Sequence, residues 1–212
     1  MLAGAADPGS PRAQGRYRLL RDEALKRGYD LPQVVAWPGQ DSASGSHMEL
    51  DSASTHLARV IQNLEADDAV YDVIAFSWGA SVYLNTLSRM ALPDCLRQTV
   101  LWGIDEYWRF SEYFLTEAST QAIRDALRQE GTTISSDFHA RQVPNEVLLK
   151  DYPHPNPIRI GFGEEDTESP PAFGAYLESF VNKSNITYRV VPGVGHIVTE
   201  SDEAYLDCLF TV

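Results

Sequence analysis

Short apolar runs alternate with amphipathic segments along most of the chain. The apolar runs predict strands at MLAGA (1–5), QVVAW (33–37), YDVIAF (71–76), QTVLWG (98–103), IRIGF (158–162) and ITYRVV (186–191). The amphipathic segments predict helices over 13–27, 51–66, 79–91, 171–182 and 201–210. Ser52 or Ser54 is expected to cap the second of these helices. Alternating strands and helices predict an α/β fold, with a mostly parallel sheet of about six strands and helices on both faces.

The segment 104–157 interrupts this alternation. It opens with an aromatic-rich run, IDEYWRFSEYFL, continues into a predicted helix over 118–130 and ends in proline-rich sequence. Connections this long in compact domains are usually lids or binding loops. We therefore expect one domain over 1–212 that carries 104–157 as a short helical cap insertion.

Composition limits the partners and the cellular location. The chain has 212 residues, of which 43% are hydrophobic, and this suits one globular domain with a sizeable core. No apolar run reaches the roughly 18–20 residues that span a bilayer, and the amino terminus lacks the pattern of a secretory signal. A formal net charge of −13 would repel phosphate backbones and anionic membranes. We expect a soluble, cytoplasmic protein that binds neither nucleic acid nor membranes, and its oligomeric state stays open.

Cysteines and histidines give no sign of a metal site. Cys95 and Cys208 have neither metal-ligand spacing nor a disulfide framework. The five histidines are scattered, without paired helical spacing. The sequence therefore predicts neither a metal nor an organic cofactor.

The stretch YDVIAFSWGAS (71–81) places Ser77 between a predicted strand and a predicted helix. Small residues stand two positions before and after it, Ala75 and Gly79, as a sharp strand-to-helix turn requires. Such a turn puts the serine at the amino end of the helix, where the dipole favours developing negative charge. A nucleophilic serine also needs a base, a group that orients the base, and oxyanion donors. The alternative is a serine that only caps the helix.

A candidate base and a candidate acid follow the last two predicted strands. His196 lies in PGVGH, just after 186–191, and Asp166 lies in GFGEEDTESPP, four residues beyond 158–162. Both belong to the carboxyl edge of the sheet, where catalytic groups of open α/β sheets gather. The alternatives are a surface-loop histidine and an exposed acidic loop. Other carboxylates that could take the acid role are Asp105, Glu164, Glu165 and Glu168.

Backbone N–H groups are the expected oxyanion donors. One belongs to Trp78, directly after the serine, and the other to Ala5 in the turn-rich loop GAADPGSP. Aromatic side chains around and within the insertion suggest an apolar substrate pocket, although many could equally be core residues. The candidates for substrate contact are Trp102, Tyr107, Trp108 and Phe110.

Several of these segments, considered together, resemble α/β-hydrolase-fold serine hydrolases. In chain order, LAGAADPGS is similar to the oxyanion loop, WPGQDS to the loop after the next strand, AFSWGAS to the nucleophile elbow, GEEDTESPP to the acid loop and VPGVGH to the histidine loop. The resemblance covers nearly the whole chain. It implies that Ser77 is the nucleophile, Asp166 the acid and His196 the base, with 104–157 in the place of the variable cap.

The sequence departs from the family pattern at three points. Many members have His-Gly where this chain has Ala3 and Gly4, and the elbow begins with Ala75 in place of glycine. The chain also starts at what would be the family's third strand, so the first two strands are not expected in this sequence. None of these departures removes a catalytic group.

The resemblance implies a serine hydrolase that cleaves an ester or thioester of a small organic or lipid-like molecule through a Ser77 acyl-enzyme. No cofactor is implied, and the expected partner is a small-molecule substrate. An acyltransferase or biosynthetic thioesterase could use the same three residues. A second alternative is a non-catalytic binding protein on the same scaffold, although no triad member is lost.

Overall fold

Strands and helices alternate along the part of the chain that the computed structural model describes, residues 1–2, 11–30, 32–38, 49–91, 93–104 and 143–211. The helices are α1 (Pro11–Lys26), α2 (Leu50–Ala66), α3 (Trp78–Leu87), α4 (Asn145–Lys150), α5 (Pro171–Val181) and α6 (Glu203–Phe210). The strands are β1 (Tyr71–Phe76), β2 (Leu96–Trp102), β3 (Ile158–Gly163) and β4 (Ile186–Val191). The predicted α/β class is confirmed.

The four strands form one parallel sheet in the order β1-β2-β3-β4. Leu2 extends the pairing beyond β1, because it forms isolated parallel bridges with Ala75 and with Val35. Within the described residues the segments 1–5 and 33–37 contribute only these bridges, so six strands are not confirmed. Since all strands run the same way, the loops that follow them meet at one edge of the sheet.

Helices cover both faces of this sheet. Gly161 and Phe162 are neighbours in β3, so their side-chain positions point to opposite faces. A methyl group at Gly161 would lie 2.9 Å from Sγ of Cys208 in α6, whereas Phe162 packs edge-on against Phe173 in α5. Helices α5 and α6 therefore lie on opposite faces. None of the helices in the described part of the chain combines the length and apolar character that crossing a bilayer would require.

The sequence predicted some element boundaries closely and others less well. Strands β1 and β4 begin and end as predicted. The predicted cap of α2 is wrong: Glu49 is the residue before the helix, without a side-chain capping bond, and Ser52 and Ser54 lie inside it. Because α2 extends one residue further toward its amino end than the predicted 51–66, it leaves neither serine in the extended conformation that a cap needs.

The predicted insertion at 104–157 is described only in part. Residues 105–142, including the predicted helix over 118–130, lie outside the described residues, so the cap stays a prediction. Helix α4 falls in the second half of the range and contacts α3 and α5. Its Leu149 is fully buried. The described end of the segment is thus packed on the same helical layer as α3.

The buried carboxylate of Asp72 links β1 to β2 at the amino-terminal edge of the sheet. Asp72 in β1 accepts hydrogen bonds from Nε and Nη2 of Arg97 at 2.8 and 2.7 Å, from Gln98 at 2.9 Å and from the Tyr29 hydroxyl. Burial alone would raise the pKa of Asp72, but these hydrogen bonds outweigh it and hold the pKa below its usual value. Asp72 therefore stabilises the folded state at neutral pH.

Replacing Asp72 by asparagine is expected to lower the free energy of unfolding at pH 7 by about 2–3 kcal/mol, because Arg97 and Tyr29 lose an ionised acceptor. Arg97 is half exposed, so the cost stays below that of a fully buried pair. The folded-state pKa is depressed, so the stabilisation is present above the unfolded pKa of about 4 and is lost as the pH falls through the folded pKa. Urea denaturation at neutral pH and near pH 3 measures both effects.

Asp22→Asn is the matched control, since Asp22 and Arg21 form an ion pair in which both side chains are more than half exposed. We expect that variant to lose less than about 0.5 kcal/mol at either pH. Two results would contradict a stabilising role of ionised Asp72. One is an equal loss of unfolding free energy in the two variants, and the other is a loss in Asp72→Asn that does not become smaller near pH 3.

Candidate active site

Ser77 occupies a strained turn between β1 and α3. Its backbone has φ 50° and ψ −126°, a conformation that costs a residue other than glycine about 1–3 kcal/mol. The turn is held by the Ser77 N–H, which donates to Trp102 O at 2.9 Å, and by Ser77 O, which accepts from the Ala80 N–H at 2.9 Å. The Ser77 side chain makes no capping hydrogen bond to α3. Ser77 therefore stands at the N-cap position of α3 but does not cap the helix through its side chain.

Small buried residues allow this turn to sit close to the sheet. Ala75 and Ala80 are both fully buried, at the end of β1 and in the first turn of α3. Trp78 is the first residue of α3, the position from which a backbone N–H projects beyond the amino end of a helix. Its ring is buried and packs edge-on against Trp37. Ala5, the other candidate oxyanion donor, lies outside the described residues.

His196 and Asp166 form a buried hydrogen-bonded pair. Nδ1 of His196 lies 2.8 Å from Oδ2 of Asp166, and the two side chains are 7% and 0% exposed. The second oxygen of Asp166, Oδ1, accepts from the backbone N–H groups of Glu168 at 2.9 Å and Ser169 at 2.7 Å. A carboxylate can only accept, so Nδ1 carries a proton, and in the neutral imidazole Nε2 then holds the lone pair. This tautomer can receive a proton at Nε2.

Gly103 joins the serine turn to the histidine–aspartate pair. It has φ +58°, and a methyl group there would lie 2.8 Å from Nδ1 and Cε1 of His196 and 3.3 Å from Oδ2 of Asp166. Ser169 fixes this glycine, because its hydroxyl donates to Gly103 O at 2.8 Å. The preceding carbonyl accepts the Ser77 N–H. The Ser77 turn and the His196–Asp166 pair thus flank one short segment at the end of β2.

Trp102 supports the histidine loop from the core. It is 1% exposed, and its indole N–H donates to His196 O at 3.1 Å. Its ring packs edge-on against Tyr205, with ring centres 4.7 Å apart. The sequence predicts Trp102 as a substrate contact, whereas the structure buries its side chain beneath the histidine loop. The other predicted substrate contacts, Tyr107, Trp108 and Phe110, lie outside the described residues, as does Asp105.

The acid loop and the histidine loop are locked together. A methyl group at Gly163 would lie 2.2 Å from Val194 O, so only glycine allows this close approach. The Glu165 N–H donates to Val194 O at 2.9 Å, and Glu164 accepts from the Gly193 N–H at 3.1 Å. Among the described carboxylates considered for the acid role, Asp166 is the one that binds Nδ1 of His196.

Sequence reasoning missed Gly103 and Ser169. Gly103 directly follows an apolar strand, and Ser169 closes the loop after Asp166. A glycine at the carboxyl end of a central strand is a weak signal of close approach by another group. No sequence pattern indicates which group approaches, because the partners lie more than 60 residues away. The residues that the structure describes contain no cluster of histidine, cysteine and acidic side chains that could hold a metal ion.

Comparisons with known proteins find similarity in structure only. No family model and no curated protein sequence matches the chain. The mouse alpha/beta hydrolase domain-containing protein 10 superposes with a TM-score of 0.61 at 14% identity, over 98% of this chain and 84% of that one. The Paleococcus ferrophilus monoacylglycerol lipase gives 0.59 at 16% identity, over 96% and 86%. A serine hydrolase from Cycloclasticus zankles gives 0.55 at 14% identity, over 98% and 83%.

These superpositions cover nearly the whole chain and more than four fifths of each similar structure. The protein has the α/β-hydrolase fold, as the resemblance in sequence predicted. At this level of identity the comparisons establish the fold, and the chemistry has to be argued from the site.

Proposed function

We propose that this protein is a serine hydrolase that cleaves an ester or thioester of a small organic or lipid-like molecule through an acyl-enzyme on Ser77. The observation that carries the proposal is the buried His196–Asp166 pair beside the strained Ser77 turn. Strain and burial of this kind both cost stability and persist where function requires them.

Acylation begins when Oγ of Ser77 attacks the carbonyl carbon of the substrate and its proton passes to Nε2 of His196. Asp166 accepts the hydrogen bond from the Nδ1–H group throughout, without taking that proton, and stabilises the imidazolium. The N–H groups of Trp78 and Ala5 are the proposed donors to the oxyanion. When the tetrahedral intermediate collapses, the bond to the leaving group breaks and the leaving group takes the proton from Nε2.

Deacylation repeats the sequence with water. His196 accepts a proton from a water molecule whose oxygen attacks the acyl-enzyme carbonyl. The ester bond to Ser77 then breaks, Oγ takes the proton from Nε2, and the acid is released. The cycle consumes one water molecule and leaves the enzyme unchanged, so it needs no cofactor.

Three further arguments support the substrate class. Two of the structurally similar proteins are named as a serine hydrolase and a monoacylglycerol lipase. The aromatic residues Tyr107, Trp108 and Phe110 in the insertion would suit an apolar acyl or ring pocket. The formal charge of −13 argues against nucleic acid as a partner. We therefore expect a small molecule with an apolar acyl group.

A pre-steady-state assay with chromogenic esters of increasing acyl length tests this function. We expect a burst of leaving group close to one equivalent of enzyme, followed by slower release of the free acid, because the activated leaving group of a chromogenic ester makes acylation faster than deacylation. A parallel reaction with an added alcohol or amine separates hydrolysis from transfer by its products. A dominant acyl-acceptor product would make the protein an acyltransferase. Binding of esters or thioesters without any turnover would indicate a binding protein.

Replacing Gly103 by alanine is expected to lower kcat by about 10- to 100-fold, because the added methyl overlaps the His196 ring and displaces it. KM should change less than kcat, since the ring acts on the reacting atoms. Steady-state kinetics, together with thermal unfolding to show that the variant is folded, measures the effect.

Gly28→Ala is the control, since Gly28 also has a positive φ, +85°, but a methyl there has no neighbour within 4 Å. It carries the same kind of backbone strain, about 1 kcal/mol, without touching the site. A Gly103→Ala variant as active as Gly28→Ala would contradict the positioning of His196 by this segment.

A further inference from the structure

A second carboxylate faces the reactive nitrogen of His196. Oε2 of Glu168 lies 3.7 Å from Nε2, on the opposite side of the ring from Asp166. The backbone of Glu168 is fixed by the acid itself, because its N–H donates to Oδ1 of Asp166 at 2.9 Å. The Glu168 side chain is 60% exposed, so its charge lies where the site opens to solvent.

In the resting site Glu168 cannot form a hydrogen bond with Nε2 of the neutral His196 ring. Nε2 of the neutral imidazole presents a lone pair, and a carboxylate cannot donate to it. Glu168 therefore does not orient the ring as Asp166 does. It places a negative charge beside the atom that delivers the proton to the leaving group, and the leaving group must come within hydrogen-bond distance of that atom.

Glu168 shares its loop with two further acidic residues. Glu164 and Glu165 belong to the same loop, and Glu164 is bonded to a backbone N–H. Within the described part of the chain, no lysine or arginine forms an ion pair with any of these three glutamates. Among the described residues, the charges of this loop that lie on the leaving-group side of His196 are therefore negative.

We propose that Glu168 is a specificity-determining residue that favours substrates whose leaving group carries a positive charge, such as esters of quaternary or protonated amino alcohols. This inference rests on the proposed function, because it assigns the leaving-group side of the same site. A carboxylate about 6 Å from a cationic group, largely screened by water, favours it by about threefold to tenfold over an uncharged group.

Two esters of one short-chain acid test the assignment: the choline ester, and its isostere in which carbon replaces the ammonium nitrogen. They have the same shape and differ by one charge. We expect kcat/KM to favour the choline ester by about threefold to tenfold in the unmodified protein, and the ratio to fall toward one in Glu168→Gln. In about 1 M salt, where screening acts over about 3 Å, the preference should also diminish.

Glu165→Gln is the matched control, because it removes the same charge from an exposed position of the same loop. We expect it to keep the preference for the choline ester. An unchanged ratio in Glu168→Gln would overturn the inference, and so would an equal fall in both variants, which would reflect the loop charge in general.

Ser77→Ala separates this inference from the proposed function. If both esters are hydrolysed in a Ser77-dependent manner without any effect of Glu168→Gln, the inference fails and the proposed function stands. If neither these nor other esters or thioesters show Ser77-dependent turnover, the proposed function fails and the inference fails with it.

Discussion

Replacing Ser77 by alanine is expected to lower the turnover of an ester substrate by about 10⁴- to 10⁶-fold, because the variant has no atom that can form the acyl-enzyme. Residual turnover would come from binding and oxyanion contacts alone. The burst of leaving group should also disappear, because Ser77→Ala forms no acyl-enzyme. Stopped-flow and steady-state assays on the same ester measure both losses.

Ser88→Ala is the control for this variant. Ser88 lies at the other end of α3, and its hydroxyl donates to Asn85 O at 2.9 Å. Ser88→Ala also removes one hydroxyl oxygen, but at the end of α3 that is remote from the site, so activity should stay within about twofold. A Ser77→Ala variant with normal turnover would remove Ser77 from the mechanism.

The positive φ of Ser77 gives a further stability readout. Alanine keeps the strain of that conformation, whereas glycine adopts it freely. We expect Ser77→Gly to be more stable than Ser77→Ala by about 1 kcal/mol, although both are inactive. Chemical denaturation of the two inactive variants checks the strain independently of catalysis.

Replacing Asp166 by asparagine is expected to lower kcat by about 10³- to 10⁴-fold. Oδ1 of Asp166 accepts two backbone N–H groups, so the amide oxygen of asparagine should keep that position. Its NH₂ group would then face Nδ1 of His196 and turn that nitrogen into an acceptor. The proton would move to Nε2, which could no longer take the proton of Ser77.

The assay for this variant is kcat with a good ester substrate, with thermal unfolding as the check on folding. Glu165→Gln serves again as the isosteric amide control in the same loop, and should keep nearly full activity. Normal turnover in Asp166→Asn would transfer the acid role to another carboxylate, such as Asp105.

Local pattern accounts for much of the fold. The run YDVIAF is largely apolar, and it forms β1 over the predicted residues because its last four side chains are buried, as in a strand covered on both faces. The run ITYRVV forms β4 over the predicted residues at the other end of the four-stranded order, with only its first and last residues buried. The predicted cap of α2 failed because serine capping competes with alternatives that sequence cannot rank, here a helix that begins one residue before Asp51.

The three catalytic candidates could be predicted from the sequence, whereas the residues that hold them in position could not. Ser77, Asp166 and His196 each follow a strand, and parallel strands bring such positions to one edge whatever the loops do. Trp102 was misplaced because an aromatic residue at a strand end can face either side of the sheet, and here it faces α6. Gly103 and Ser169 act through contacts across long sequence separations, which depend on the finished packing.

Labelling with a fluorophosphonate, followed by peptide mapping, tests the central claim most directly. Such a reagent forms a covalent bond only with a serine that a base has activated. We predict modification on the peptide that contains Ser77, none in Ser77→Ala, and strongly slowed modification in His196→Ala with the fold retained. Labelling that occurs at another serine, or that proceeds equally fast without His196, would contradict the account.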